Sequence, residues 1–134
     1  MSLEIAKLAT PMVVPIFSGG GTRLPAHIGI LQAMHELDIH FEHLVGVSGG
    51  SIVSSLYAAG LSLEAIKKLA MDTDFNQFLS ISLLRLLKDG GLSSGDKFEK
   101  WMDEKLEGRL FSDMALNFHV LATDVNGGGP IVFD

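Results

Sequence analysis

Cysteine is absent from the 134 residues, which removes thiol nucleophiles, disulfides and cysteine-ligated metals together and leaves the redox compartment undecided. A basic excess is absent too. Ten Lys and Arg stand against sixteen Asp and Glu, a formal charge of -6, and no basic run occurs, so a general nucleic-acid role is excluded: phosphate backbones are held by clustered cations. The start, Met1 to Lys7, lacks the basic opening, apolar core and small-residue cleavage site of a secretory signal. The expected location is cytoplasmic, or outside the cell by a route without an N-terminal signal. Long apolar runs are also missing, with one imitation. Residues 44–63 carry no charge and match a bilayer in length, but Gly46, Gly49, Gly50, Gly60 and five serines fall within them, so a buried strand, turn and helix is expected and not a transmembrane helix.

What is present suits a packed core: 47% hydrophobic and 19% charged residues in a length that accommodates one domain. There is no internal repeat or low-complexity linker. Met12 to Phe17 is short, apolar and rich in Val and Ile, the pattern of a strand buried on both faces. A glycine-rich loop follows, then Pro25 at a helix start, where its missing N–H would have had no partner. Ile28, Leu31, Ala33, Met34 and Leu37 continue at helical spacing. Leu44 to Val47 reads as a second buried strand, and the helix opened by Ser48 stops at Gly60. Further helices are expected from Ser62 to about Asp72, over 75–87 and over 96–106, then strands over 117–123 and 131–133. This order specifies an α/β layered fold with a largely parallel sheet. A sheet this apolar needs helices on both faces, and the order supplies only the first part of such a domain.

Two glycine-rich segments carry chemistry. Gly46-Val47-Ser48-Gly49-Gly50 matches G-x-S-x-G, in which a serine sits on a sharp strand-to-helix turn and flanking glycines avoid collisions with the neighbouring strand and helix. The pattern follows an apolar strand and precedes a helix, the context it requires. Ser48 then lies at a helix N-terminus, where free N–H groups favour developing negative charge. The second segment, Gly19-Gly20-Gly21-Thr22-Arg23, joins the first strand to the first helix. Consecutive glycines let main-chain N–H groups converge as an anion nest. A dinucleotide fingerprint would need glycine at position 24, occupied by Leu24, and an acid closing the second strand. A phosphate loop of the Gly-Lys-Ser/Thr type is absent. The favoured role is an oxyanion hole for Ser48, since adjacent parallel strands would deliver both loops to one edge; a plain tight turn is the bland alternative.

Together, Ser18-Gly-Gly-Gly-Thr-Arg23, His27-Ile-Gly-Ile-Leu31, Gly46-Val-Ser-Gly-Gly-Ser51, Leu56-Tyr-Ala-Ala-Gly60 and Leu121-Ala-Thr-Asp-Val-Asn-Gly127 resemble the patatin-like phospholipases, from about Val13 onward. The resemblance implies a three-layer α/β/α sandwich related to α/β-hydrolases, of which 1–134 is a single, incomplete domain. It implies a lipid acyl hydrolase acting on phospholipids, lysophospholipids or acylglycerols, at a membrane surface or free, through a Ser–Asp dyad. Ser48 would be the nucleophile. Gly19, Gly20, Gly21, Thr22 and Arg23 would form the oxyanion and substrate loop, with the Gly49 N–H contributing. No metal or organic cofactor is implied. The chain departs from the pattern twice. Leu24 and Pro25 follow the arginine where the family has glycine, which is expected to tighten or displace the loop. The family's Asp-Gly-Gly/Ala motif, bearing the catalytic aspartate, lies beyond the segment equivalent to Ala122-Thr-Asp124, so little turnover is expected of these residues alone. A non-catalytic lipid- or anion-binding module is the alternative.

The remaining candidates have plainer readings. Asp89-Gly90-Gly91 follows an expected helix and reads as a turn; Asp124, before Asn-Gly, reads as another. His27, His35, His40, His43 and His119 form no H-x-x-x-H or H-E-x-x-H pattern, so no metal site is expected, and His27 is assigned a structural or surface role. The apolar helix expected over 75–87 is read as buried, with a lipid-facing wall as the alternative.

Overall fold

A computed structural model describes residues 12–19, 23–75 and 95–134; residues 76–87 of the helix expected over 75–87, the Asp89 turn, and Gly20, Gly21 and Thr22 lie outside them. The sheet is built from β1 (Ile16–Phe17), β2 (His43–Val47), β3 (Asn117–Asp124) and β4 (Gly129–Phe133), in that spatial order. The first three run parallel, and β4 returns antiparallel beside β3. The fold is α/β with an open, mixed sheet. Stepping one way across it, right-handed crossovers place both connecting layers on the same face.

That face is where the core lies. In β2, Leu44 and Gly46 are buried while His43, Val45 and Val47 are half-exposed, the two-residue period of a strand covered more fully on one side. Phe17, Leu44 and Phe118 meet Leu24, Ile28 and Leu31 from the α1 segment (α1, Pro25–Glu36), Val53, Leu56 and Ala58 from α2 (Gly49–Ala58), and Ile66 from α3 (Leu63–Asp72). Each buried Val, Leu, Ile or Phe side chain here contributes about 1.5–3 kcal/mol relative to exposure. The Tyr57 hydroxyl meets His35 Nε2 at 2.6 Å, tying α2 to α1, and burial raises the pKa of that phenol. Helix α3 begins at Ser62, whose Oγ accepts from the Ala65 N–H at 3.2 Å as a side-chain N-cap. Helix α4 (Asp96–Leu106) lies beside α2. The Arg109 guanidinium donates to the Ala59 carbonyl at the end of α2, where a cation meets the negative end of the helix.

The first strand differs from the sequence expectation. Of the six residues over 12–17, only Ile16 and Phe17 are strand, and they alternate instead of being buried on both faces: Phe17 is 4% exposed and Ile16 65%. The cause is local. Pro15 has no N–H to continue the ladder, though its carbonyl still accepts from Val45, and proline restricts a strand to the sheet edge. The opposite sheet face carries Ile16 and Leu121, both exposed; the second outer layer of an α/β/α sandwich is not among the described residues.

Candidate active site

The pairing of β1 with β2 fixes the site. Phe17 lies opposite Gly46, so the two parallel strands end together and the segments after them, Ser18–Gly19 and Ser48, leave from one edge. Ser48 occupies the junction between β2 and α2 with φ 53 and ψ −131, a conformation normally left to glycine. Its side chain is exposed. Its carbonyl accepts from the Ser51 N–H at 3.0 Å and the Ser51 hydroxyl at 2.5 Å, which anchors the turn from the helix side.

The glycines show why the turn admits little else. A Cβ on Gly46 would come within 2.6 Å of the Ser51 Cα, and one on Gly50 within 2.1 Å of the Phe17 carbonyl oxygen. Both partners are backbone and cannot swing aside. Gly50 thus lets the start of α2 press against the end of β1. Gly19 faces the serine itself: a Cβ there would lie 3.1 Å from Ser48 Cβ and 3.2 Å from its Oγ. The beginning of the glycine loop therefore borders the hydroxyl. As the first residues of α2, Gly49 and Gly50 carry N–H groups that no earlier helical carbonyl can reach. The arrangement offers an exposed hydroxyl at a helix N-terminus, beside a glycine-lined backbone.

Leu24 and Arg23 border the other end of the loop. Arg23 is exposed. Leu24 takes φ −49 and ψ −36, ordinary right-handed helical values that need no glycine, and its side chain is 6% exposed within the core. It therefore anchors α1 to the core at that end of the loop.

Several other titratable groups have partners of their own. Asp124 accepts from the Asn126 N–H at 2.9 Å, and hydrogen bonds from the Gly127 and Asn126 amides lower its carboxyl pKa; it closes the turn between β3 and β4. His43 Nδ1 and His119 Nε2 stand 3.3 Å apart, with His119 Nδ1 3.5 Å from Asp134. His43 begins β2 whereas Ser48 follows its end, so that pair lies toward the other end of the strand. Among the described residues His27 reaches the start of the loop, its Nε2 2.9 Å from the Ser18 carbonyl oxygen, a contact that sequence spacing did not reveal. Among the described residues no cluster of three His, Asp or Glu could hold a metal, no helix is long and apolar enough to cross a membrane, and no carboxylate or imidazole bonds Ser48 Oγ. An apolar hollow of about 180 Å³ opens between α2, α4 and β3, lined by Ile52, Phe98, Met102, Phe118 and Val120.

Known proteins are similar to this chain. A patatin-like phospholipase domain-containing protein of Caenorhabditis elegans is 28% identical over 118 residues, 83% of this chain and 8% of that protein. Neuropathy target esterase of Drosophila persimilis is 26% identical over 114 residues, 82% of this chain and 8% of its own length. The chain thus spans under a tenth of these two relatives. The crystal structure of the type III effector protein ExoU superposes with a TM-score of 0.63 over 93% of this chain and 36% of that one, at 18% identity, a likeness of fold. The model of the patatin-like phospholipase family matches residues 16–129, which take in β1 to β3 and the helices between them, and the chain belongs to that family.

Proposed function

We propose that this chain carries the nucleophilic half of a lipid acyl hydrolase, with Ser48 as the acyl acceptor and fatty-acyl esters as substrates. The observation that carries this reading is the backbone of Ser48: a non-glycine residue at φ 53, exposed at a helix start, with Gly19 against its hydroxyl. Strain of this kind costs on the order of 1–3 kcal/mol and persists where the surroundings over-determine it, commonly at active sites. Membership of a phospholipase family supports a lipid ester as the partner.

In the proposed reaction Ser48 Oγ attacks the ester carbonyl carbon, and its proton passes to a general base. The tetrahedral oxyanion lies against the Gly49 N–H and the amides of Gly19, Gly20 and Gly21, with Thr22 and Arg23 completing the loop. Collapse expels the alcohol or lysolipid, which takes up a proton, and leaves the acyl group on Ser48. Water then releases the fatty acid and restores the hydroxyl. The base is not assigned within these residues: the Asp124 carboxylate caps its own turn, and His27 Nε2 is engaged by Ser18. A metal or organic cofactor has no part in the scheme.

The absence of any base on Ser48 Oγ among the described residues favours the second reading, a lipid- or anion-binding module without catalysis. Hydrolysis of a short chromogenic ester and of phosphatidylcholine vesicles distinguishes the two. Without a base, oxyanion stabilisation and binding can still leave roughly 10³-fold acceleration over water. Slow hydrolysis that disappears in Ser48→Ala supports the hydrolase; vesicle binding unchanged by Ser48→Ala, with no hydrolysis above background, selects the binding module.

A further inference from the structure

We infer that His27 is a positioning residue, whose Nε2–H holds the Ser18 carbonyl and so sets the start of the glycine loop over Ser48. The inference rests on the hydrolase reading and adds to it a residue that neither glycine motif contains.

The end of β1 is gripped from two sides. On one side stands Gly50, where a Cβ would lie 2.1 Å from the Phe17 carbonyl oxygen and 2.5 Å from that of Ser18. On the other stands His27, in the first turn of α1. Its ring stacks on Phe17 with centroids 4.9 Å apart and planes 20° apart, and its Nε2 lies 2.9 Å from the Ser18 oxygen. The next residue is Gly19, which borders Ser48 Oγ. A shift of the Ser18 peptide would move the glycine loop relative to the nucleophile, with no side chain on Gly19 to resist it.

The chemistry of the contact fixes the role. A carbonyl only accepts, so Nε2 carries the hydrogen and its lone pair belongs to the ring. The remaining lone pair is on Nδ1, which is buried without a hydrogen-bond partner among the described residues. Neither nitrogen can take the proton from Ser48 Oγ in this arrangement. His27 therefore acts through the loop and not as a base. Placement alone can be worth a great deal: a displacement of about 1 Å at a reacting centre can cost on the order of 100-fold in rate.

The test compares two donors, wild-type His27 and one variant, with one non-donor by the rate at which a fluorophosphonate modifies Ser48. His27→Gln can offer an amide N–H where Nε2 lies; His27→Phe keeps a ring against Phe17 but has no donor. Thermal melting checks each fold, and His27→Met replaces Phe as the non-donor if the Phe variant does not fold. The expected result is a limiting modification rate slowed roughly 10- to 100-fold in the non-donor, with little change in the reagent concentration giving half that rate, and recovery to within a few-fold in His27→Gln. A folded non-donor modified as fast as wild type overturns the inference while leaving the hydrolase reading intact. Loss in His27→Gln as complete as in Ser48→Ala also overturns it, in favour of direct proton transfer by His27. Wild-type protein left unmodified at Ser48 overturns the hydrolase reading, and the inference with it.

Discussion

At φ 53 and ψ −131 Ser48 holds a conformation that suits glycine and penalises any Cβ. Ser48→Gly and Ser48→Ala should therefore part company. The glycine variant is expected to gain about 1–2 kcal/mol from relieved strain; the alanine variant, still bearing a Cβ, should stay near wild type; and both should lose esterase activity. Parallel denaturant titrations read the difference, and equal stabilities would mean that the turn is not strained. The same comparison of backbone and side chain bears on Leu24. Family resemblance marks this position for glycine, yet the residue is helical in conformation and buried in the core. Leu24→Gly is expected to destabilise the fold by about 3 kcal/mol or more through lost burial and a cavity, without raising the esterase rate. A faster and equally stable variant would show that the leucine does obstruct the loop. At this scale the glycines of the Ser48 turn were legible in the sequence because collisions are set by local spacing. His27 was not, because its contact spans a loop whose path no periodicity describes.

Elements were legible where a boundary signal was chemical. Pro25 begins α1, Ser62 caps α3, and α4 runs from Asp96 to Leu106, as their start signals and apolar spacing imply. The first strand was over-read, since an apolar run of Val and Ile obscures the consequence of Pro15, which has no N–H for the ladder. The turn between β3 and β4 shows how a carboxylate can be structural. Bonds from the Gly127 and Asn126 amides favour the charged form of Asp124 and lower its pKa. The folded value is the depressed one, so the stabilisation is present above the ordinary carboxylate range and is lost as pH falls through the folded value. A carboxyl-carbon NMR titration should find Asp124 titrating below an ordinary aspartate, with the Asn126 and Gly127 amides shifting in the same acid step. The step should vanish in Asp124→Asn, while esterase activity persists. A catalytic Asp124 would instead show loss of activity in that variant.

Across the whole molecule, parallel pairing does what neither motif can do alone. Phe17 opposite Gly46 brings two loops, separated in sequence by α1, a turn and β2, to one sheet edge. That outcome was readable from the β-α-β order, because right-handed crossovers between neighbouring parallel strands leave few alternatives. The antiparallel return of β4 was not specified by its apolar residues, which carry no direction; the turn capped by Asp124 supplies it. The half-exposed second face of the sheet likewise follows from having all the described connections on one side. If these loops form a working nucleophile and oxyanion site, the selective reactivity of Ser48 is the most direct sign of it. Exposure to a fluorophosphonate followed by peptide mass spectrometry is therefore the decisive measurement. Modification is expected at Ser48 ahead of Ser51, Ser62 and every other serine, to be absent in Ser48→Ala, and to be lost when the fold is denatured first. Modification spread evenly over exposed serines, or unchanged by denaturation, would contradict the assignment of Ser48 as an activated nucleophile.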